Sequence, residues 1–303
     1  MHSNIYQPSG KSSALIYVIA FFFLLIGVPL LSSVYSLLLW YIPFIYVHFL
    51  FTAGLGIVLA LTLNKILKIG KVRSKKLANC LALIAALLAL YFVWTSYITL
   101  LFNAGETITS NLTRHKLRGG LSITKTFFNI EDFINISLNP RVVSETMSYL
   151  YAVGAWSIFK ITVKGFVLGL IWFLEAIVIV GFTFLLGTSQ AEEPFSEESN
   201  EWFDKKILPY FIKQPENLEE FVEDLKNGKA SVLSSLEYDS QSSMDYYQIT
   251  TFAHSNEPVA YINFSNVKVS FDDKGKESQD VQDLAKNVKV SLSDLRRLEE
   301  QFA

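Results

Sequence analysis

One carboxylate stands inside a long apolar run: Glu175, in GFVLGLIWFLEAIVIVGFTFLLG at residues 165–187. A charge at the centre of a membrane helix costs roughly 2.5–3.5 kcal/mol on insertion scales, so such a group faces a bundle interior, where it pairs or stays protonated. The other apolar runs carry no Lys or Arg at the same depth, which leaves neutral partners. Tyr91 is nearest in depth, followed by Thr52 and then by Thr95 or Ser96. Three roles fit Glu175: a protonated acid hydrogen-bonded between helices, a group handling protons or a ligand, or a contact with another protein's membrane helix.

His48 is a second intramembrane polar residue, in the outer half of its run. With no further His, Asp or Cys at ligand spacing it is a poor metal site, and packing or an interhelical hydrogen bond is expected of it. Gly165 and Gly169 form a GxxxG pair that would allow close helix approach. Six residues separate Gly169 from Glu175, so their directions differ by about 120° and one helix face cannot use both. If the glycines pack, Glu175 points elsewhere with Leu168, Ile171, Ile179 and Phe182.

Six cations crowd NKILKIGKVRSKK: Lys65, Lys68, Lys71, Arg73, Lys75 and Lys76. Beside a membrane they suit anionic lipid headgroups, at about 1 kcal/mol each near the surface. They could equally receive the acidic C-terminal part in a salt-sensitive contact.

Other chemistries find no residues. Cys80 is the single cysteine, so disulfides, zinc ribbons and CxxC redox work are excluded. There is no GxxxxGK[ST], HExxH or GxSxG motif. Gly119-Gly120 is too short to cradle a phosphate, and neither His115 nor His254 has a carboxylate or thiol placed by sequence to form a triad. No catalytic residue, metal site or cofactor is expected.

The elements that must position these residues follow from composition. The 303 residues are 51% hydrophobic and only 18% charged, with a mean hydropathy of +0.32. A soluble domain would carry nearer 25% charge. Residues 1–187 hold 14 Lys/Arg against 5 Asp/Glu, and residues 188–303 hold 12 against 23. An apolar, basic first part thus precedes an acidic, water-soluble second part.

No charged residue occurs from Ser12 to Asn64. As one helix that stretch would be about 80 Å long against a hydrocarbon core of about 30 Å, so two passes are expected, near 13–33 and 43–63. The turn between them would hold Tyr35, Trp40 and Tyr41, and Pro43 would open the second helix. A third helix is expected near 77–102 and a fourth at 165–187. The long first run reads as a retained anchor rather than a cleaved signal peptide.

The basic loop 64–76 places that side of the membrane in the cytoplasm, with both termini there as well. Segment 103–164 then lies outside and contains an amphipathic helix near 141–154, started by Asn139-Pro140. Residues 188–215 read as an acidic linker. Residues 216–303 read as a small α+β domain: a helix at 216–227 capped by Gly228, strands at 231–238, 246–254, 259–271 and 288–292, and a terminal helix from Ser293.

The expected fold is thus an all-α four-helix transmembrane region followed by a small soluble α+β domain. The expected setting is the cytoplasmic (inner) membrane of a bacterium. The expected function is a non-enzymatic scaffold, regulator or assembly factor whose cytosolic tail binds a protein partner. The alternative is a small oligomeric transporter or channel subunit using Glu175. The lipid bilayer is the first partner, and nucleic acid is excluded by so acidic a tail.

Overall fold

The computed structural model describes residues 4–42, 45–104, 115–116, 122–123, 126–158, 161–209, 211–238 and 245–302. Pro43, Gly119 and Gly120 lie outside the described residues, as does the side chain of His115. The chain divides into two compact units, residues 12–191 and a unit made of residues 1–11 with 192–303.

In the first unit four helices are long and apolar enough to cross a membrane. They are α1 (Leu15–Tyr41), α2 (Ile45–Ile69), α3 (Lys75–Asn103) and, after two shorter helices, α6 (Gly165–Gly187). The expected turn at 34–42 is instead the last part of α1. That stretch holds no Gly or Pro to stop a helix, and the serine just before it, Ser32, and one within it, Ser36, tie it to α3. Ser32 Oγ donates to the Ala89 carbonyl at 3.2 Å, and Ser36 Oγ to the Val93 carbonyl at 3.0 Å. Ala78, Ala82, Ala85, Ala86 and Ala89 of α3 are fully buried, so small side chains let these two parallel helices approach closely. Pro29 does not break α1 either. It has no N–H to give the Leu25 carbonyl, and the helix widens into a π turn at Phe23–Gly27 just before it.

The connection from α2 to α3 is tighter than the expected 64–76 loop. Val72 N–H bonds the Leu67 carbonyl at 3.0 Å and Lys71 N–H the Lys68 carbonyl at 3.2 Å, with Lys71 left-handed at φ 49°. This pairing closes a helix with its last carbonyls satisfied. Ser74 then caps α3 by accepting from Leu77 N–H. Gly70 is required by packing rather than by its backbone angle: a Cβ there would lie 2.8 Å from Ile16 of α1.

Between α3 and α6 the amphipathic helix is present as α5 (Pro140–Val153), and a second helix, α4 (Ile130–Ser137), precedes it. Asn129 Oδ1 caps α4 by accepting from Glu131 N–H at 2.9 Å. Short two-residue strands, β1 (His115–Lys116) and β2 (Ser122–Ile123), pair upstream, and β3 (Trp156–Ile158) pairs with β4 (Ile161–Val163) downstream.

The second unit contains an antiparallel sheet in the order β10-β9-β8-β7. Its strands are β7 (Asp204–Ile207), β8 (Asp245–Ala253), β9 (Val259–Phe271) and β10 (Glu277–Ser291). The core lies on one face, where Ile249, Ile262, Phe264 and Val288 meet Phe221 and Leu225 of α7 (Leu218–Lys226) and Leu295 and Leu298 of α8 (Leu292–Phe302).

Three expectations are corrected here. The strand expected at 231–238 is a 3-10 turn over Ala230–Ser235, held by Ser234 Oγ on the Ser231 carbonyl and Ser235 Oγ on the Val232 carbonyl. The strand expected at 288–292 is the end of the much longer β10, whose polar first half carries no apolar alternation to announce it. Residues 188–215 are no linker. Among them β5 (Phe195–Ser196) pairs with β6 (Glu201–Trp202), β7 forms the sheet edge, and Phe203, Leu208 and Ile212 are buried. Ser196 Oγ bonds Glu257, and His254 Nε2 bonds Glu201 Oε2 at 3.3 Å, fastening this segment to the sheet's end. His254 Nδ1 accepts from Asn256 N–H at 3.3 Å, so the ring proton sits on Nε2 and faces the carboxylate.

The N-terminal residues belong to this unit. Lys289 N–H donates to the Asn4 carbonyl at 2.7 Å, Tyr6 N–H donates to the Asn287 carbonyl at 2.9 Å, and Ile5 bridges Val288. Tyr6 packs edge-on against Tyr261 at 5.3 Å, and Ser9 Oγ donates to Glu197 at 2.6 Å. Burial, then the charge of Glu257, pushes the Tyr261 phenol above its ordinary pKa.

Candidate functional site

Among the polar residues inside the helical unit, the side chain that meets Glu175 is His48. His48 Nδ1 lies 4.0 Å from Glu175 Oε1, and both side chains are about one-fifth exposed, at 18% and 19%. This replaces the expected pairing with Tyr91, whose hydroxyl donates to the Ser137 carbonyl at 2.8 Å. Thr95 Oγ1 is turned to the Tyr91 carbonyl and Ser96 Oγ to Ser33 Oγ. The α3 residues that matched Glu175 in depth are thus committed to α1, to α4 and to their own helix.

The parallel packing of α2 and α6 brings His48 and Glu175 together. A Cβ on Gly56 would stand 2.8 Å from Phe182 Cβ and 3.3 Å from the Ile179 carbonyl. One further turn along, Ala60 and Leu63 close on Gly187. His48 opposite Glu175 continues the same seam toward the other end of α2. On α6 the buried residues Leu168, Ile179, Thr183 and Gly187 form this inward face, and Glu175 belongs to it.

The small residues that allow the contact are Gly56 and Ala60, spaced four apart, together with Gly187. The Gly165–Gly169 pair does not do this work. Gly165 has open space where a Cβ would be, and Gly169 is approached by the Tyr151 ring of α5.

Beside the pair a short hydrogen-bonded chain ends on the backbone carbonyl of His48. Thr52 Oγ1 donates to the His48 carbonyl at 2.8 Å, which uses its one hydroxyl proton. The 2.9 Å contact between Tyr35 Oη and Thr52 Oγ1 is therefore donated by the buried tyrosine. Tyr35 is a site residue that sequence reading placed in an interfacial turn. Its signal was present, since Ser32 and Tyr35-Ser36 sit on one face of a helix that continued past the expected stop.

The separation of 4.0 Å is too long for a hydrogen bond but close enough for strong charge interaction, about 4 kcal/mol at an effective dielectric of 20. A single titratable proton can be placed on either member of such a pair. Neutral imidazole with neutral acid, and imidazolium with carboxylate, have the same net charge, and either avoids an isolated buried ion. A proton can therefore reside here without a counter-ion from outside the bundle. No group of three or more His, Cys, Asp or Glu side chains is gathered among the described residues.

The pair also lies nearer one end of the bundle than the centre of α6 suggests, because His48 is only three residues beyond Ile45. One helical turn from Glu175 along α6, Trp172 meets Trp94 at 4.5 Å, and Tyr97 joins Trp94 and Trp40 at 6.0 and 5.7 Å. Such an aromatic layer marks a membrane–water boundary.

The six cations are brought to one end of the helical unit. Lys65 and Lys68 are exposed on the last turns of α2, and Lys75 and Lys76 are exposed on the first turn of α3. Lys71 is half-buried, and Arg73 is buried at 6% exposure in the turn. Comparison with protein-family models, with curated proteins and with solved structures found no match.

Proposed function

We propose that this protein is a non-enzymatic membrane scaffold or regulator whose α+β domain binds a protein partner at the cytoplasmic face of a bacterial inner membrane. The observation that carries the reading is the construction of that domain from both ends of the chain. Residues 4–6 add to β10 while residues 192–303 supply the rest, so the domain is joined covalently to the start of α1 and to the end of α6. A partner that shifts the domain would pull on two helices, and one of them carries Glu175.

The placement of the lysines supports the orientation. Lys75 and Lys76 sit in the first turn of α3, where the helix dipole disfavours cations. Helix stability gives no reason for them, and an anionic cytoplasmic leaflet does. In-cell cross-linking from exposed tail lysines, read by mass spectrometry, is expected to recover one reproducible foreign protein. Removal of residues 192–303 is expected to abolish function. Cross-links only between copies of this chain, or full function without the tail, would overturn the proposal.

The His48–Glu175 pair favours a second reading, an oligomeric transporter or channel subunit that passes protons. Under it, Glu175→Gln abolishes flux while membrane levels stay normal. Under the scaffold reading the same variant is tolerated. Flux in vesicles, measured beside quantitative blotting, separates the two.

A further inference from the structure

From the packing of α4 and α5 on α3 we infer that residues 127–140 form a re-entrant wedge whose exposed apolar tip contacts the acyl chains of the leaflet at the end of α3 away from Lys75 and Lys76. The inference rests on the reading that α1, α2, α3 and α6 cross a membrane. Under that reading residues 127–140 are a shallow insertion in the bilayer.

The depth of the wedge follows from its bonds to α3. Near the end of α3, Asn103 Nδ2 donates to Asp132 Oδ2 at 3.1 Å, and Thr126 Oγ1 donates to the Leu100 carbonyl at 2.8 Å. Further along, Ile136 packs with Ile98, and Phe133 lies 6.0 Å from Phe92. At the tip, Tyr91 Oη donates to the Ser137 carbonyl at 2.8 Å. Helix α4 therefore descends beside α3, and the chain turns back at Asn139-Pro140.

Lys75 and Lys76 mark one boundary of the hydrocarbon, and about 20 helical residues are needed to cross it. The opposite boundary then falls near Ser96, among the aromatic rings of Trp94, Tyr97 and Trp172. Tyr91 lies five residues short of Ser96, so the tip reaches about 7 Å below that boundary.

The face of α4 turned away from α3 is apolar. Phe127, Ile130, Ile134 and Leu138 repeat at helical spacing and are 45%, 68%, 50% and 74% exposed. One charged side chain, exposed Glu131, shares this face, and it stands at the end of α4 farther from the tip, beside the Asp132–Asn103 bond. By that boundary Leu138, nearest the tip, falls within the hydrocarbon, while Phe127 and Ile130, level with Leu100 and Asn103, fall among the headgroups. Leaving a large apolar side chain such as Leu138 in water would forgo roughly 1.5–3 kcal/mol.

The charges near the tip fit the same placement. Arg141, in the first turn of α5, donates from Nε to Glu145 Oε1 at 2.7 Å, one turn toward the headgroup end. A long side chain that turns outward and pairs keeps its charge out of the hydrocarbon.

The test is nitroxide accessibility in native-lipid vesicles. Single cysteines replace Ile134 or Leu138 in a Cys80→Ala background, and collision with oxygen is compared with collision with a water-soluble nickel chelate. Leu87→Cys, in the middle of α3 and 54% exposed, reports hydrocarbon, and Glu216→Cys in the tail reports water. The oxygen-to-nickel ratio at Leu138→Cys is expected to approach that at Leu87→Cys and to exceed that at Glu216→Cys about tenfold, since a polar chelate loses its hydration on entering hydrocarbon. A ratio like that of Glu216→Cys at Leu138 alone overturns the wedge and leaves the membrane reading standing. Low collision with both probes means that protein covers the stripe, such as a second copy of this chain, and also overturns it. A water-like ratio at Leu87→Cys as well overturns the membrane reading and the wedge together.

Discussion

Phe264→Ala is expected to cost the α+β domain about 3–5 kcal/mol, enough to leave it largely unfolded while the membrane helices persist. Phe264 is fully buried at the centre of β9, stacked on Tyr247 at 5.2 Å and tilted against Phe221 of α7 at 4.9 Å. Truncation removes the ring that joins sheet to helix. It leaves a cavity bounded by two strands paired on either side, β8 and β10, which cannot close in. Limited proteolysis of the full-length protein in membranes measures the effect. Cleavage between residues 216 and 300 should accelerate by two orders of magnitude or more, at about tenfold per 1.4 kcal/mol, with α1 to α6 remaining protected. Wild-type resistance in the variant would show that Phe264 is not the keystone of that core. Because the N-terminal residues belong to the same unit, the variant should also expose the chain around Tyr6.

The second large effect is expected from Gly56→Leu, at about 1–3 kcal/mol or more of lost packing between α2 and α6. A Cβ at this position would lie 2.8 Å from Phe182 Cβ and 3.3 Å from the Ile179 carbonyl, and the second of these is backbone that cannot rotate away. The helices must separate, and the seam that sets His48 against Glu175 opens with them. Crosslinking of a cysteine pair across the seam, at Ala60 and Gly187 in a Cys80→Ala background, should fall severalfold in Gly56→Leu. Gly165→Leu, where a Cβ meets open space but φ is +59°, should leave that crosslink unchanged even if it frays the start of α6. Equal crosslinking in both variants would remove Gly56 from its assigned role. If Glu175 has a function in flux, Gly56→Leu should impair it without touching a titratable group.

The contrast between these two glycines shows how far sequence carries. Gly165 and Gly169 were legible as a motif, yet the contact formed at Gly56, Ala60 and Gly187. Spacing records which helix faces could approach, and only the packed bundle selects one. The same limit applied to Glu175. Its depth pointed to Tyr91, but depth says nothing about rotation about the helix axis. The rotation of α3 is set by its alanine stripe against α1, and that turns Tyr91 to Ser137. His48, read alone as a packing residue, became the partner because α2 and α6 run parallel.

The sequence by itself determined the division into an apolar, basic part and an acidic part, the four long apolar helices and the α+β character of the tail. Each of these rests on composition or periodicity summed over many residues, where single-residue ambiguities cancel. The bounds of α6 and of the helix near 141–154 were also legible, because a glycine or a proline ends each run. The tertiary structure decided the rest. It made α1 continuous to Tyr41, folded residues 195–207 into the domain, bound residues 4–6 to β10 and laid α4 against α3. Each of these depends on contacts between residues far apart in the chain, such as Ser36 with Val93, Ser196 with Glu257 and Asn4 with Lys289. A partner that lies 57, 61 or 285 residues away leaves no trace in the local pattern of either residue.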